Sequence, residues 1–395
     1  MSTTTVESAS WFARMKRSLG GVVFGIALML AMLVLLFTNE GRAVKTARGL
    51  AQGSGTLVMA SPQQVNPAQE GQLVYLAGQT STPLALVDAQ TGVQAPALRL
   101  ARKVQMYQWV QSSSSKKELA VGGTETTTTQ YDYALQWQEQ QHDSARFQQP
   151  EGHANPAMAL ASETFSAQGV QLGNWSIDAA VLDKLSASHI HAAPQADLAT
   201  LQTTLGKALP VTLVDDALVV SSNPQQPSLG DYRISYQLAP VQPISVIGRQ
   251  AGHGIAPWQS DSGTELLLVT AGVVPAAQML DRAVSANHTM TWIWRVLGTV
   301  LMIVAFSSIL GPLSVAASVL PLLGRVLAMG TGLIATGLGL GLSVLTIGVA
   351  WLVYRPLLSL AIIAVGVACV AGVVMLIGRR KAAAGGLPAA SVAQG

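Results

Sequence analysis

The chain has a single cysteine, Cys369, in 395 residues. It lies in the last apolar segment, so the polar part has neither a disulfide nor a thiol nucleophile and must be held by its own core. Charge is also scarce: Asp, Glu, Lys and Arg make up 11% of the chain, and 50% is hydrophobic. Soluble proteins carry about 25% charged residues. The deficit is concentrated in residues 19–37, which hold no charge, and 296–377, where Arg325 and Arg355 are the only charges. A net charge of +3 is too small to point to nucleic acid as a partner.

Catalytic signatures are missing as well. The chain has no HExxH, CxxC, GxSxG or Walker loop. His189 and His191 would share one face of a strand, but no acidic or cysteine ligand accompanies them, and a polar loop is the expectation. Asp261-Ser262-Gly263 has the form of an aspartic-protease triplet. That chemistry needs two carboxylates sharing a proton, and no second triplet exists, so a turn is expected. A hydrolase would need His153 or Asp261 in a cleft beside a nucleophile. No catalytic residue, cofactor or metal is therefore assigned, and the chain is read as not an enzyme.

The apolar segments are long. Residues 19–37 nearly cross a hydrocarbon core of about 30 Å at about 1.5 Å per residue. They exceed the apolar core of a cleavable leader, which indicates an uncleaved signal anchor. Three further spans are expected at 294–310, 326–354 and 356–377. Trp292 and Trp294 open the first of these at interfacial depth, and Arg355-Pro356 separates the last two. Residues 311–325 are apolar but broken by Pro312 and Pro321, which suits an interfacial or re-entrant linker. Arg14, Lys16 and Arg17 before the first span, and Arg379, Arg380 and Lys381 after the last, place residues 1–18 and 378–395 in the cytoplasm. No ionisable residue is expected deep in any span, which argues against a pump or an ion-coupled transporter. A channel lined by hydroxyls, such as Ser343 and Thr346, stays open.

The fold class expected is thus a membrane protein with four transmembrane helices, one N-terminal and three C-terminal, and a large α+β non-cytoplasmic domain over 38–291. Alternation predicts strands at 103–111, 131–137, 232–238, 244–249 and 265–270, a hairpin around Asp215-Asp216, and a long Ser/Thr/Gly-rich loop between the first two. Helical spacing appears at Val181, Leu182 and Leu185 and again from Leu198 to Leu209. Pro275 opens a helix that runs on into the second span. Residues 39–50 are amphiphilic. There Arg42, Lys45 and Arg48 recur every third position and could meet lipid headgroups along one helix face. Tyr107, Trp109 and Trp137, with Tyr131 and Tyr133, offer a partner surface or fill a core. In the third span Gly337 and Gly341 form a GxxxG pair, for oligomerisation or for packing within the bundle.

Six motifs carry a family resemblance. Phe37-Thr38-Asn39-Glu40-Gly41-Arg42-Ala43-Val44-Lys45-Thr46-Ala47 comes first. Met106-Tyr107-Gln108-Trp109-Val110, Gly152-His153-Ala154-Asn155-Pro156, Gly230-Asp231-Tyr232-Arg233-Ile234-Ser235 and Val246-Ile247-Gly248-Arg249-Gln250 follow. Trp351-Leu352-Val353-Tyr354-Arg355-Pro356 is the last. Over roughly residues 10–380 the chain resembles the LUMA family, the transmembrane protein 43 family. That resemblance implies a four-span protein with a large lumenal domain. In animals it implies a place in the endoplasmic reticulum and inner nuclear membrane, homo-oligomers, lamina partners and links to ion channels. Rich in Ala and Gln and poor in Lys, the chain looks like a bacterial relative, and for a bacterial protein an inner membrane and a periplasmic domain are expected. The function expected is a non-enzymatic oligomeric scaffold in the lipid bilayer that binds membrane or envelope proteins. The alternative is an ion channel or channel subunit.

Overall fold

The computed structural model describes residues 2–120, 122–191, 197–206, 209–317, 321–357, 359–361 and 364. Its helices, in chain order, are α1 (Trp11–Thr56), α2 (Ala179–Leu182), α3 (Leu198–Leu205), α4 (Ala276–Ile309), α5 (Gly311–Ala317) and α6 (Pro321–Tyr354). Among the described residues three stretches are long and apolar enough to cross a bilayer: α1, α4 and residues Met329–Tyr354 of α6. The expected fourth span at 356–377, the basic cluster after it and Cys369 lie mostly or wholly outside the described residues. The chain divides into two compact units. One gathers Met1–Met15, Lys45–Asn287 and Ala317–Gly324; the other gathers Lys16–Val44, His288–Ala316 and the described residues from Arg325 on.

The first unit is rich in β-structure. The α+β expectation holds only coarsely, because its two internal helices, α2 and α3, are short. One sheet orders the strands Ser2–Ala9, Glu125–Gln138, Ala97–Leu119, Tyr232–Pro240, Ala217–Val220 and Val211–Val214. The loop expected between residues 111 and 131 is instead paired. Ser112–Ser115 lie opposite Asp132–Thr129, and only a short turn remains near Gly122 and Gly123. Threonine favours extended backbone, and a run of it opposite serines satisfies the ladder as well as apolar residues do. Residues 2–9, expected in a cytoplasmic N-terminus, extend this sheet by pairing Ser2 with Asp132 through to Ala9 with Glu125, residues expected in the non-cytoplasmic domain. Arg14 fastens the tip, donating to the Gly123 carbonyl at 2.7 Å and pairing with Glu125 at 3.4 Å.

In the second sheet the pairings close on themselves. Pro243–Ala251 pairs with both Leu73–Ser81 and Gly254–Ala256, and the circuit returns through Trp175–Ile177 and Val170–Leu172. Closure removes exposed edges. Inside the ring Trp175, Leu172, Val74, Leu76 and Val246 are fully buried. A separate core beneath the first sheet joins Leu201 and Leu205 of α3 to Leu100, Val104 and Ile234. The hairpin expected at 213–220 forms over 211–220 and turns at Asp215 and Asp216, whose φ angles are 47° and 62°. Both residues in that region suit a type I′ turn.

The long helices have identifiable limits. Ser10 caps α1, its Oγ accepting from the Ala13 N–H. The helix then continues for 46 residues. Residues 39–50, expected as a stretch lying at the membrane surface, are part of it. Within the first unit the end of α1 packs by Leu50 against Leu73, Tyr75, Ile247 and Leu266, joined by Met279 and Leu280 of α4. As expected, the helix following Pro275 runs without a break into the second span. Pro312 and Pro321 sit at the starts of α5 and α6, where a missing N–H costs nothing.

A buried ion pair braces the first unit. The Arg102 guanidinium donates to both Asp88 oxygens at 2.6 and 2.7 Å, to Gln90 at 2.6 Å and to the Ala161 carbonyl at 3.0 Å. Asp88 also accepts from Tyr236 at 2.7 Å and Thr91 at 2.8 Å. Burial alone would raise the Asp88 carboxyl, but the bonds from Tyr236, Arg102 and Thr91 outweigh it, and the group lies below the ordinary value of 3.8. A depressed carboxylate contributes stability that is complete above the unfolded value and is lost as pH falls through the folded one. We expect Asp88→Asn to lower neutral-pH stability by about 3 kcal/mol, since it removes the buried counter-ion of Arg102 and leaves only the half-exposed Glu163, at 3.1 Å, to balance the guanidinium. Thermal melts followed by circular dichroism should also find the variant less sensitive than wild type to acid below pH 3.8.

Candidate functional site

The second unit is built from α1, α4 and α6, and its centre is a charge. Glu40 is wholly buried. Arg295 of α4 grips it with two bonds, Nε to Oε1 at 2.6 Å and Nη2 to Oε2 at 2.8 Å. The indole N–H of Trp351 in α6 donates to Oε2 at 2.8 Å. One carboxylate therefore accepts from both of the other long helices. The guanidinium also lies over the rings of Trp292, at 4.8 Å, and Trp351, at 5.7 Å. These faces favour a cation that is partly withdrawn from water.

Around this pair the helices approach closely. A Cβ at Gly41 would meet the Tyr354 ring at 2.6 Å, so the hydroxyl end of that ring packs against the helix only because residue 41 is glycine. Phe37 holds the same ring at a centroid distance of 5.4 Å. Asn39 is buried and donates to the Thr291 carbonyl at 3.2 Å, and Arg42 donates from Nη2 to Asn39 at 3.0 Å and to the Thr291 hydroxyl at 3.2 Å. Two motifs distant in the sequence, 37–47 and 351–356, thus meet here.

Sequence reasoning missed this centre. With the first span ended at Phe37, Glu40 stands outside it; the helix continues, and the carboxylate is buried among its neighbours. The available signal was the coincidence of a lone acid, a Trp-flanked arginine at 295 and an indole at 351 in a chain with little charge.

The other candidate residues are dispersed. Arg42 belongs to this unit, and Lys45 and Arg48 are exposed in the other, all three on the continuous α1. Tyr107 and Trp137 are direct cross-strand partners with rings 5.2 Å apart, and Arg233 covers Trp137 at 5.0 Å. Trp137 and Arg233 line an open hollow of about 510 Å³ together with Lys103, Gln105 and Asp215. Trp109 instead meets the edge of His153, whose ring stacks on Tyr133 at 4.0 Å. His153 is buried, with Nδ1 3.0 Å from the Gln149 carbonyl. Asp261 sits in an exposed turn and accepts from Gln52 at 2.8 Å. His189 and His191 lie on a short strand paired to Tyr236 and Leu238. Among the described residues no group of three or more His, Cys, Asp or Glu could hold a metal.

In α6 the glycines separate by face. Gly339 faces Ile303 of α4, where a Cβ would fall 2.9 Å from backbone atoms. Gly337 and Gly341, two positions to either side, are exposed and meet nothing within 4 Å among the described residues.

A family model described as Transmembrane protein 43 matches residues 106–356. The chain belongs to the transmembrane protein 43 family. Transmembrane protein 43 of mouse is 31% identical over 392 residues, covering 96% of this chain and 94% of the mouse protein. The human protein is 31% identical over 374 residues, covering 91% and 90%. The Drosophila melanogaster homologue is 26% identical over 360 residues, covering 87% and 91%. No solved structure matches. The family resemblance read from the six motifs is thereby confirmed.

For this transmembrane protein 43 relative, Glu40→Gln should cost about 3–5 kcal/mol of stability by leaving Arg295 partly buried without its charge partner. Glu40→Gln combined with Arg295→Leu should cost less than the two single changes added together. Thermal unfolding in detergent micelles measures both; strict additivity would mean that the pair is not coupled.

Proposed function

We propose that this membrane protein is a non-enzymatic scaffold that self-associates through the outer face of α6 and presents its β-rich unit to partner proteins. The observation that carries this reading is the open pair Gly337 and Gly341. Small residues at that spacing let a second helix backbone approach closely. Packing among the described helices engages Gly339, on the opposite face, and leaves this pair unused. The hollow beside Trp137 and Arg233, with its aromatic and cationic lining, supports a partner surface on the first unit, since such residues are enriched at binding hot spots.

A channel is the second reading. It is favoured by the Ser343 hydroxyl, which is buried and has no partner among the described residues. Thr346 donates to the Leu342 carbonyl of its own helix. If oligomers enclose a water path there, reconstituted protein conducts and Ser343→Leu abolishes the conductance; a silent wild-type bilayer removes this reading.

Light scattering of the detergent-solubilised protein tests the scaffold. The wild type should give one discrete oligomer, and Gly337→Leu with Gly341→Leu should reduce it to a smaller species with unchanged helix content. A monomeric wild type would sink the proposal.

A further inference from the structure

Alternation along two strands of the first sheet sets one cation on its outer face. In Lys103-Val104-Gln105-Met106 and Tyr232-Arg233-Ile234-Ser235 the apolar members enter the core beneath the sheet, so the polar members face the other way. Gln105 and Arg233 stand opposite one another. The Arg233 Nε and Nη2 both donate to the Gln105 Oε1, at 2.9 and 2.7 Å. The guanidinium lies over the Trp137 ring at 5.0 Å. These three residues line the open hollow of about 510 Å³. A neutral oxygen and a ring face thus fix the cation without neutralising it. Among the described residues no carboxylate forms an ion pair with it, and its Nη1 makes no bond. A cation held in this way loses less freedom on gripping an anion than one on a mobile side chain.

The other charges of the hollow do not cancel it. Lys103 pairs with Glu139 at 3.7 Å, and that carboxylate also accepts from the Ser162 hydroxyl at 2.7 Å. Asp215 lies in the turn beyond Ala217, which is opposite Ser235. Arg233 leans the other way, onto Trp137, whose partner Tyr107 is level with Asp231. From Ser235 to Asp231 is roughly 13 Å at about 3.3 Å per residue. The Debye length at physiological ionic strength is about 8 Å. Asp215 is exposed, so water and salt screen its field before it reaches the guanidinium.

The chemistry selects the occupant. The outer edge of a guanidinium forks a planar carboxylate, and one fixed cation suits one monoanion. A phosphate dianion would call for a second available cation, and Lys103 is engaged. A sugar would call for an open aromatic face, and Trp137 is already flanked by Arg233 and by Tyr107 at 5.2 Å. Sites for small ligands bury most of the ligand's surface, whereas Lys103, Asp215 and Gln237 around this hollow are exposed. A peptide that passes through with one side left in water fits it better.

We infer that the hollow binds an acidic peptide segment of a partner protein, with one carboxylate forked on Arg233 beside Trp137 and Gln105 acting as a positioning residue. The inference rests on reading the hollow as a partner surface and is independent of self-association through α6.

The test titrates full-length protein in nonionic detergent into a rhodamine-labelled, end-capped peptide of alternating glutamate and serine, with fluorescence anisotropy as the readout. The glutamine–serine isostere is the control. The glutamate peptide should bind saturably, and the isostere about tenfold more weakly. Arg233→Gln should weaken the glutamate peptide by about tenfold, the worth of a hydrogen bond to a charged group. Arg233→Lys should recover part of the loss, since it restores charge without the fork. Gln105→Glu leaves the arginine present but neutralises it, and should weaken binding as much; it decides the question should Arg233→Gln fail to fold. Binding unchanged in Arg233→Gln or Gln105→Glu overturns the proposal. Displacement of the peptide by glutarate at an equal concentration of carboxylate would identify a site for small acids and overturn it too. Equal binding of the two peptides, abolished in Trp137→Ala, overturns the carboxylate and leaves the partner surface standing. If wild type binds neither peptide, both readings fall.

Discussion

The helical unit depends on the burial of one carboxylate. Withdrawing a charge from water costs several kcal/mol even after the surroundings relax, so Glu40 is tolerable only where its oxygens are fully engaged. Arg295 and Trp351 supply three donors from two other helices. Sliding any one helix by a turn, about 5.4 Å, would break at least one of those bonds and strand the charge. In a membrane, where apolar faces slide past one another with little preference, such a bond specifies register in a way that leucines cannot. The tight contacts at Gly41 and Gly339 need that same register, since each admits its neighbour only where a side chain is missing.

The first unit repeats this arrangement in a different setting. Asp88 and Arg102 are both buried, and Asp88 accepts from the side chains of Arg102, Tyr236 and Thr91 and from the Gln90 backbone N–H. Tyr236 and Arg102 stand on neighbouring strands of the first sheet, paired residue to residue. Asp88 comes from the loop beneath them. The polar cluster thus ties a loop to a sheet, whereas the apolar cores would tolerate several alternatives of similar volume.

Much of the fold was legible because alternation and apolar length act locally. The strands at 232–240 and 243–251, the Asp215-Asp216 turn and the helix after Pro275 follow from side chains within a few positions of each other. The polar hairpin was not legible in the same way. Ser112–Ser115 and Thr126–Thr129 have no apolar face to give period two, and their pairing is stabilised by backbone and hydroxyl bonds such as Ser115 to Thr129. Glu40 was hidden for another reason. Hydropathy ends a span where polar residues begin, and Thr38-Asn39-Glu40 looks like an exit to water. What makes Glu40 an interior residue is Arg295, 255 positions away, and no local window contains both.

The two faces of α6 bear on function. Ala335, Gly339, Ser343, Thr346 and Ala350 are buried and recur at helical spacing, so the inner face is small along its whole length. That is how membrane helices pack closely, and the neighbouring helices account for it. Gly337, Gly341 and Gly348 recur on the outer side, where the described structure places nothing against them. Glycine within a helix costs about 1 kcal/mol relative to alanine, and lipid contact alone gives no return on that cost. A leucine would serve a lipid-facing position better. A helix that omits side chains on both faces is therefore suited to two close contacts: among the described residues one is with α4, and the other suits a further helix, of this bundle or, on the proposed reading, of a second copy.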